Sequence, residues 1–464
     1  MSQFEAREGQ VFEVSSEHCS AKLAKGASAK EIPSHILVMD TGQPWVPEPE
    51  KREPKNQEEL DALYRETIQR GIIDHHGIDA TVLNLPEGVE RKCATKMVAD
   101  FAPEVLAVIK ERDVSAVTAH HDSDLDSIAS TYLAKSLVQS QDAMRMPKIT
   151  QALAEFVNLT DYGKYRESDP HKYTQSLQGV FGSVKAALMA KQRAEMGAVW
   201  SDSARSLEDK RREAAEIGQR YNQEIVERSI EVLNACEKQS AVSSVDMTAL
   251  DVQALELSDK TRSLLIEGGK MTLQDFEKFN TEFEKAERST ARIKTKDGNM
   301  ITVPLLVFAE PDMNPLVVTN MSYQRVSPEA IVAVFAGSGR KYGGDMYDIG
   351  IKPETAALFD LSSLEMPMNN AESQLRNALF PDLDELASGA KSPSAEQQAV
   401  LDRWKIYPKD LQAKWNALRP GFEHVGHGDP TVVVAGGSLL AASTTSLLTV
   451  ENFRQVLSGA LEGK

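Results

Sequence analysis

The stretch SAVTAHHDSDLDSIASTYLA, residues 115–134, changes from a strand pattern to a helix pattern across a short polar segment. Residues 115–119 are mostly small or β-branched, as is typical of a buried strand, and residues 127–134 begin a helix. Between them, five of the seven residues 120–126 are histidine or aspartate. In open α/β sheets, ligands bind outside the carboxyl ends of the strands. The stretch therefore predicts an α/β fold with a polar site at the tip of this strand.

Two other short apolar segments also end in aspartate or histidine. Residues 35–39 (HILVM) predict a strand that ends at Asp40, and residues 72–73 (II) predict a short strand that leads into residues 74–76 (DHH). Helical segments lie between these strands, and this alternation indicates a mostly parallel sheet. Because parallel strands present their carboxyl ends at one edge, we expect these tips to meet residues 120–126 in one crevice.

The helical and apolar patterns divide the chain into segments. No proline occurs between Pro170 and Pro304, and this stretch is rich in helix-forming residues. Residues 272–275 (TLQD) have the form of a capping box that starts a helix. Apolar runs that predict strands return at residues 303–308, 316–318, 331–335 and 432–434. We predict an N-terminal lead-in 1–33, a metal-binding catalytic α/β domain 34–185, a helical connector 186–295 and a smaller α/β substrate-binding domain 296–464.

Composition and charge limit the class of protein. The net charge of −17 disfavours a surface that tracks a long nucleic acid. No apolar run approaches the roughly 20 residues that span a bilayer, and the polar N-terminus does not have the pattern of a signal peptide. The three cysteines are too few for a disulfide framework or a Cys-based zinc site. We therefore expect a cytoplasmic protein without membrane contact, and we leave a homo-oligomer open.

The residue types at the predicted strand tips favour a metal centre. Carboxylate oxygens and imidazole nitrogens suit manganese, with magnesium and iron as alternatives, and no thiolate is present among them. Asp124 and Asp126 alternate along one segment, so each can face a different cation. Two divalent cations roughly 3.5–4 Å apart are a common arrangement for phosphoryl chemistry. We therefore expect two divalent cations as cofactors.

Two of these segments resemble motifs of the DHH phosphoesterase superfamily. Residues 74–76 (DHH) resemble the triplet that names the group, and residues 120–130 (HHDSDLDSIAS) resemble its first motif, His-x-x-x-Asp-x-Asp before a small-residue helix. The superfamily includes single-strand exonucleases, oligoribonucleases, cyclic-dinucleotide phosphodiesterases and manganese pyrophosphatases. Its motifs usually run from one to four, whereas here the order is two, three, one, four. The resemblance covers about residues 34–165 and assigns no subfamily.

The resemblance implies roles for individual residues. His120 and Asp124 would hold one cation and Asp126 the other. Asp40 would bridge them, and His76 would lie near the attacking or leaving oxygen, so that His76 and Asp126 form the catalytic pair. The full set of implied metal ligands is Asp40, His75, His120, Asp124, Asp126 and Asp161.

The C-terminal part contains glycine-rich segments that carry cations. Residues 337–344 (GSGRKYGG) and 419–430 (RPGFEHVGHGDP) combine glycines, which let backbone amides approach an anion, with basic side chains that can neutralise it. This pattern predicts loops that contact a phosphorylated substrate and close over the metal site. The residues expected to bind substrate are Arg340, Lys341, Arg419 and His427.

The resulting functional prediction is the hydrolysis of a phosphoester or phosphoanhydride bond by a metal-activated hydroxide. The expected partner is a small phosphorylated substrate or a short oligonucleotide. One alternative is a pyrophosphatase or polyphosphatase. Another is a non-catalytic nucleotide-binding regulator with the same fold, and a third is a scaffold that associates with itself through the helical segment.

Overall fold

The chain divides into two compact units, as seen in the computed structural model. One unit comprises Met1–Ala198 and Glu216–Gln274, and the other comprises Val199–Ala215 and Asp275–Lys464. The domain limits predicted from the sequence are not tested by this division and stay predictions. The residues that the structure describes are 10–13, 35–40, 52–82, 85–119, 124–240, 244–295, 297–309, 313, 318, 321–327, 329–336, 346–351, 358–360, 365–404, 408–409, 422–424, 432–435, 447 and 449–459.

The first unit contains a small parallel sheet. Its strands are β1 (Gln10–Glu13), β2 (Ile36–Met39), β3 (Ile72–Ile73) and β4 (Ala116–Ala119), in the order β1-β4-β2-β3. All three strand pairs are parallel, so the predicted mixed α/β class with a parallel sheet is confirmed for this unit. Residues 10–13, which lie within the predicted lead-in 1–33, form an edge strand beside β4.

Helices cover this sheet and supply most of the first unit's core. The first of them has Asn56 as its N-cap, whose side chain accepts a hydrogen bond from the Glu59 amide. It buries Leu60, Tyr64 and Ile68 completely, because residues four apart share one face of a helix. The helices are α1 (Gln57–Gln69), α2 (His76–Thr81), α3 (Ala94–Asp100), α4 (Ala102–Glu111), α5 (Leu125–Ser140), α6 (Thr150–Asp161) and α7 (Pro170–Gln175).

Three longer helices follow: α8 (Leu177–Ser201), α9 (Leu207–Ser240) and α10 (Asp259–Lys285). Most of residues 186–285 are helical, whereas residues 287–295, at the end of the predicted connector, form a strand. Thr272 was predicted to start a helix, whereas it lies inside α10 and its hydroxyl donates to the Gly268 carbonyl oxygen. The helix continues through this local capping signal although Gly268 and Gly269 come shortly before it, and Gly268 packs closely against the backbone of Ser183 in α8.

The second unit is built on a seven-stranded mixed sheet in the order β10-β11-β8-β7-β6-β5-β9. Only the β6–β7 pair is parallel among its described pairs. Its strands are β5 (Glu287–Thr295), β6 (Met300–Ala309), β7 (Ile331–Ala336), β8 (Met346–Ile351), β9 (Phe359–Asp360), β10 (Phe422–His424) and β11 (Val432–Ala435). Its helices α11–α14 are Glu365–Leu379, Leu383–Ser388, Ala395–Trp404 and Val450–Leu457.

Three of the four strands predicted in this region lie within β6, β7 and β11. The fourth, at residues 316–318, was wrong at Val318, which is helical. In the part of the chain that the structure describes, no helix has the length and apolar character needed to cross a membrane.

Candidate metal centre

Asp40 is the residue that ends β2. Its amide donates a 2.8 Å hydrogen bond to the Ile73 carbonyl oxygen, which continues the pairing of β2 with β3. Its backbone has a φ of 38°, in the left-handed region that aspartate tolerates better than most residues. The side chain is 1% exposed. The strand therefore ends in a sharp change of direction that leaves a carboxylate inside the protein.

The Asp74-His75-His76 triplet connects β3 to α2. The Asp74 carboxylate accepts a 2.9 Å hydrogen bond from the His76 amide and a 2.8 Å bond from His76 Nδ1. This pair of bonds fixes the turn and the His76 ring together. His75 is completely buried, whereas the His76 side chain keeps 13% of its surface exposed. The two adjacent histidines are therefore in different environments.

His75 is the point at which the separate segments meet. Its Nε2 lies 3.7 Å from Asp40 Oδ1, 3.7 Å from Asp126 Oδ2 and 3.4 Å from Asp161 Oδ2. Among the described residues, two groups have ligand atoms within 4.8 Å of one another: Asp40 with His75 and His76, and His75 with Asp126 and Asp161. Segments after β2 and β3, the first turn of α5 and the last residue of α6 thus contribute to one cluster.

Asp126 has a structural task that its sequence position did not reveal. Its Oδ2 accepts a 2.8 Å hydrogen bond from the Ala94 amide, and its Oδ1 accepts one of the same length from the Thr95 amide. These amides are the first two of α3, and the residue before them, Cys93, provides no side-chain cap. Asp126 therefore acts as the cap of α3 from a distant part of the chain.

The remaining predicted residues are placed differently. Asp124 is the N-cap of α5 and accepts a 2.9 Å hydrogen bond from the Ser127 amide, and it belongs to neither of the two groups found among the described residues. The first turn of α5 is therefore capped by an aspartate. Five predicted residues lie outside the residues that the structure describes, namely His120, Arg340, Lys341, Arg419 and His427.

Three residues that the sequence interpretation missed hold His75 in place. His75 Nδ1 lies 2.6 Å from Asp79 Oδ2, and the Tyr162 hydroxyl donates to the same oxygen at 3.0 Å. Arg91 Nη1 donates to the other oxygen, Asp79 Oδ1, at 2.9 Å. The spacing of Asp79, four residues after His75, was a usable signal, because residues four apart are neighbours on a helix. No local pattern marks Arg91, because its contact with Asp79 depends on how the loop before α3 folds back.

No family model, curated protein or solved structure matches this chain. Five aspartate side chains are buried or nearly so, while Arg91 is the one arginine or lysine within salt-bridge distance of any of them among the described residues. Buried carboxylates are costly unless cations or hydrogen bonds offset them. The aspartates are Asp40, Asp74, Asp79, Asp126 and Asp161.

The crowding of acids perturbs the ionisation of the cluster. Burial raises the pKa of Asp40 well above its usual value, and neighbouring aspartates including Asp126 raise it further. Burial also raises the pKa of Asp161, although His75 opposes this. Burial alone would lower the pKa of His75, but the charges of Asp161 and Asp79 outweigh it and raise the pKa. Without another cation, the cluster therefore tends to bind protons.

The donor set fits a divalent cation. Asp161 Oδ2 is buried and accepts no hydrogen bond from the described residues, although it lies within reach of His75 and Asp126. A buried carboxylate oxygen without a donor costs free energy that a cation would recover. Oxygen and imidazole ligands without thiolates suit manganese, magnesium or iron rather than structural zinc.

Proposed function

We propose that this chain is a divalent-metal-dependent phosphoesterase related in chemistry to the DHH group. It would hydrolyse a phosphoester or phosphoanhydride bond in a small phosphorylated substrate or a short oligonucleotide. The observation that carries the proposal is the meeting of Asp40, Asp126 and Asp161 around His75 Nε2. These four residues correspond to the ligands that the motif resemblance implies from four separate motifs.

The strand order supports this reading of the permuted motifs. In the sheet, β2 lies between β4 and β3, so Asp40 ends a strand flanked by the strand before Asp126 and the strand before His75. Chain order decides which loops connect the strands, whereas the position of a tip depends on the order within the sheet. The sequence order two, three, one, four is therefore compatible with a single site.

The described residues define one cation site more completely than a second. Because His75 Nδ1 bonds to Asp79, only Nε2 is available, and one imidazole nitrogen binds one cation. His75, Asp126 and Asp161 would hold that cation, and Asp40 is placed to share an oxygen with a neighbour. A second cation would take Asp40, with His120 as the further ligand implied by the resemblance. Bound divalent cations would lower the pKa of water and neutralise charge on phosphoryl oxygens.

The side chains around the cations have separate tasks. The Asp126 carboxylate keeps α3 fixed, so it can present its remaining lone pairs in only one orientation. The His76 ring is oriented by Asp74 and is the more exposed imidazole, which makes it the candidate for proton transfer to or from a substrate oxygen. Asp40 Oδ1 also lies 3.3 Å from His76 Nδ1, so the ring is next to the carboxylate that would bridge the cations according to the resemblance.

A hydrolysis screen tests the proposed function. Protein supplemented with Mn²⁺ would be incubated with pyrophosphate, polyphosphate, linear dinucleotides, cyclic dinucleotides and short oligonucleotides. We expect release of phosphate or mononucleotide from at least one of these, and no release by Asp161→Asn, which neutralises the carboxylate whose Oδ2 accepts no hydrogen bond from the described residues. Inactivity of the wild type towards every substrate would refute the hydrolase and leave the nucleotide-binding regulator.

Metal analysis tests the centre itself. After dialysis against Mn²⁺ and removal of the excess, we expect about two equivalents per chain, as in two-metal phosphoryl-transfer sites. A value of one would restrict the centre to the site of His75, Asp126 and Asp161. No bound metal would remove the basis of the proposal.

A further inference from the structure

We propose that Asp79 is the positioning residue of the centre, holding the His75 ring by Nδ1 so that Nε2 faces the three carboxylates. This inference rests on the proposed function, because it assigns Asp79 a task in building the metal site. Asp79 itself is not expected to touch a cation or a substrate.

The contact with Asp79 decides which nitrogen of His75 can bind a cation. A carboxylate only accepts hydrogen bonds, so the 2.6 Å contact requires a proton on His75 Nδ1. The imidazole nitrogen that can act as a ligand is then Nε2, the atom that lies within 3.7 Å of Asp40, Asp126 and Asp161. Metal-binding histidines commonly donate their other ring N–H to a carboxylate, which fixes the tautomer and the ring orientation.

Asp79 is itself fixed by a different partner on each of its carboxylate oxygens. Arg91 donates to Asp79 Oδ1 and to the Val82 carbonyl oxygen, which ties the end of α2 to the same guanidinium. The Tyr162 hydroxyl donates to Asp79 Oδ2, and the Tyr162 ring packs edge-on against His75 with centroids 5.7 Å apart. The side chains of Asp79 and His75 have no exposed surface. The carboxylate therefore has one position, and the ring that it holds has one orientation.

The two oxygens of Asp79 have different partners, which distinguishes positioning from simple pairing of charge. A buried ion pair needs only Arg91 and Asp79, and that contact uses Oδ1. The second oxygen, Oδ2, accepts from both His75 and Tyr162. Since α6 ends at Asp161, the residue before Tyr162, the same network connects a ligand on α6 to the ring on α2. Loss of Asp79 should therefore disturb the relative placement of two ligands as well as stability.

The test measures Mn²⁺ binding by calorimetry on protein freed of metal. Asp79→Asn keeps the size of the side chain and removes the charge that orders His75 and Arg91. We expect its Mn²⁺ affinity to fall by about 10- to 100-fold, the range seen when a carboxylate behind a metal-bound histidine is lost. The matched control is Glu372→Gln, which neutralises an equally buried i,i+4 pair with Arg376 in the other unit. We expect the control to lose stability but to bind Mn²⁺ like the wild type.

The outcomes distinguish this inference from the proposed function. A wild type that binds no Mn²⁺ overturns both. A wild type that binds Mn²⁺, beside an Asp79→Asn protein of equal affinity, overturns the positioning role alone and leaves Asp79 as half of an ion pair. If Asp79→Asn does not fold, Tyr162→Phe decides the matter, because it keeps the ring and removes the hydroxyl that donates to Asp79 and lies 3.2 Å from His75 Nδ1. Its Mn²⁺ affinity should fall several-fold, and unchanged affinity would refute the role.

Discussion

Replacing Asp126 with alanine should destabilise the protein even when no metal is bound. A sequence-level view would treat Asp126 as a ligand that faces metal and water, whose loss leaves the fold intact. The structure contradicts that view, because the side chain is buried and both of its oxygens accept amides of α3. The perturbation therefore removes the cap of a helix as well as a ligand.

The magnitude follows from the two amides. A buried donor left without a partner costs about 1–3 kcal/mol, so two of them cost about 2–6 kcal/mol. Removing the charge also relieves repulsion within the cluster. That relief is the smaller effect, because Asp40 and Asp161 already have raised pKa values and can bind protons instead of carrying the full repulsion. We therefore expect Asp126→Ala to lower the free energy of unfolding by about 2 kcal/mol or more.

Urea unfolding followed by circular dichroism in the presence of a chelator measures this loss. The matched control is Asp161→Ala, which removes a carboxylate from the same cluster whose Oδ2 accepts no hydrogen bond from the described residues. The midpoint for Asp126→Ala should lie well below that of the wild type, and the Asp161→Ala midpoint should stay closer to it. Equal midpoints for the two variants would refute the capping role of Asp126.

Three further predictions concern a close glycine contact, the pH dependence of metal binding and two basic residues of the C-terminal part. Gly268→Ala should destabilise the protein by about 1–3 kcal/mol in thermal or urea unfolding, because the added Cβ would lie 1.8 Å from a backbone oxygen of α8. The control is Gly269→Ala, whose Cβ would lie 3.8 Å from the nearest atom, and it should be neutral or stabilising. Mn²⁺ affinity should rise with pH, because the raised pKa of His75 means that metal binding displaces its proton. Calorimetry in buffers of different ionisation enthalpy should detect this proton release, and metal binding without proton release would contradict the prediction. Removing Lys341 or Arg419 should raise KM or lower kcat at unchanged metal content, and normal kinetics in the double variant would remove their substrate role.

Part of the candidate site was accessible from the sequence. Residues 36–39, 72–73 and 116–119 form parallel strands, and the acidic or histidine residues predicted at their ends include Asp40 and His75. These features depend on short-range patterns: apolar residues that form a buried strand, followed by polar residues that cannot continue it. That the tips lie close together follows from the geometry of any parallel sheet.

Other parts depended on segments far apart in the chain. Residues 10–13 form a strand because they pair with β4, about a hundred positions later, and four residues carry no reliable strand signal by themselves. The strand at residues 287–295 follows α10 directly and pairs along its length with β6, so its partner rather than its composition ended the helical region. Local propensity is a weak guide where such pairing decides the conformation.

Residue types and their local spacing were sufficient to identify the candidate centre and the segments that carry it. The task of each side chain there depends on how segments far apart in the chain pack together. Asp126 and Asp161 are both aspartates in or near predicted ligand motifs, yet one caps α3 and the other has an oxygen that accepts no hydrogen bond from the described residues. Asp79 gained its position behind His75 from Arg91 and Tyr162. The physical reason is that hydrogen bonds form over about 3 Å between atoms, and distances of that size between remote segments are set by packing and not by local pattern.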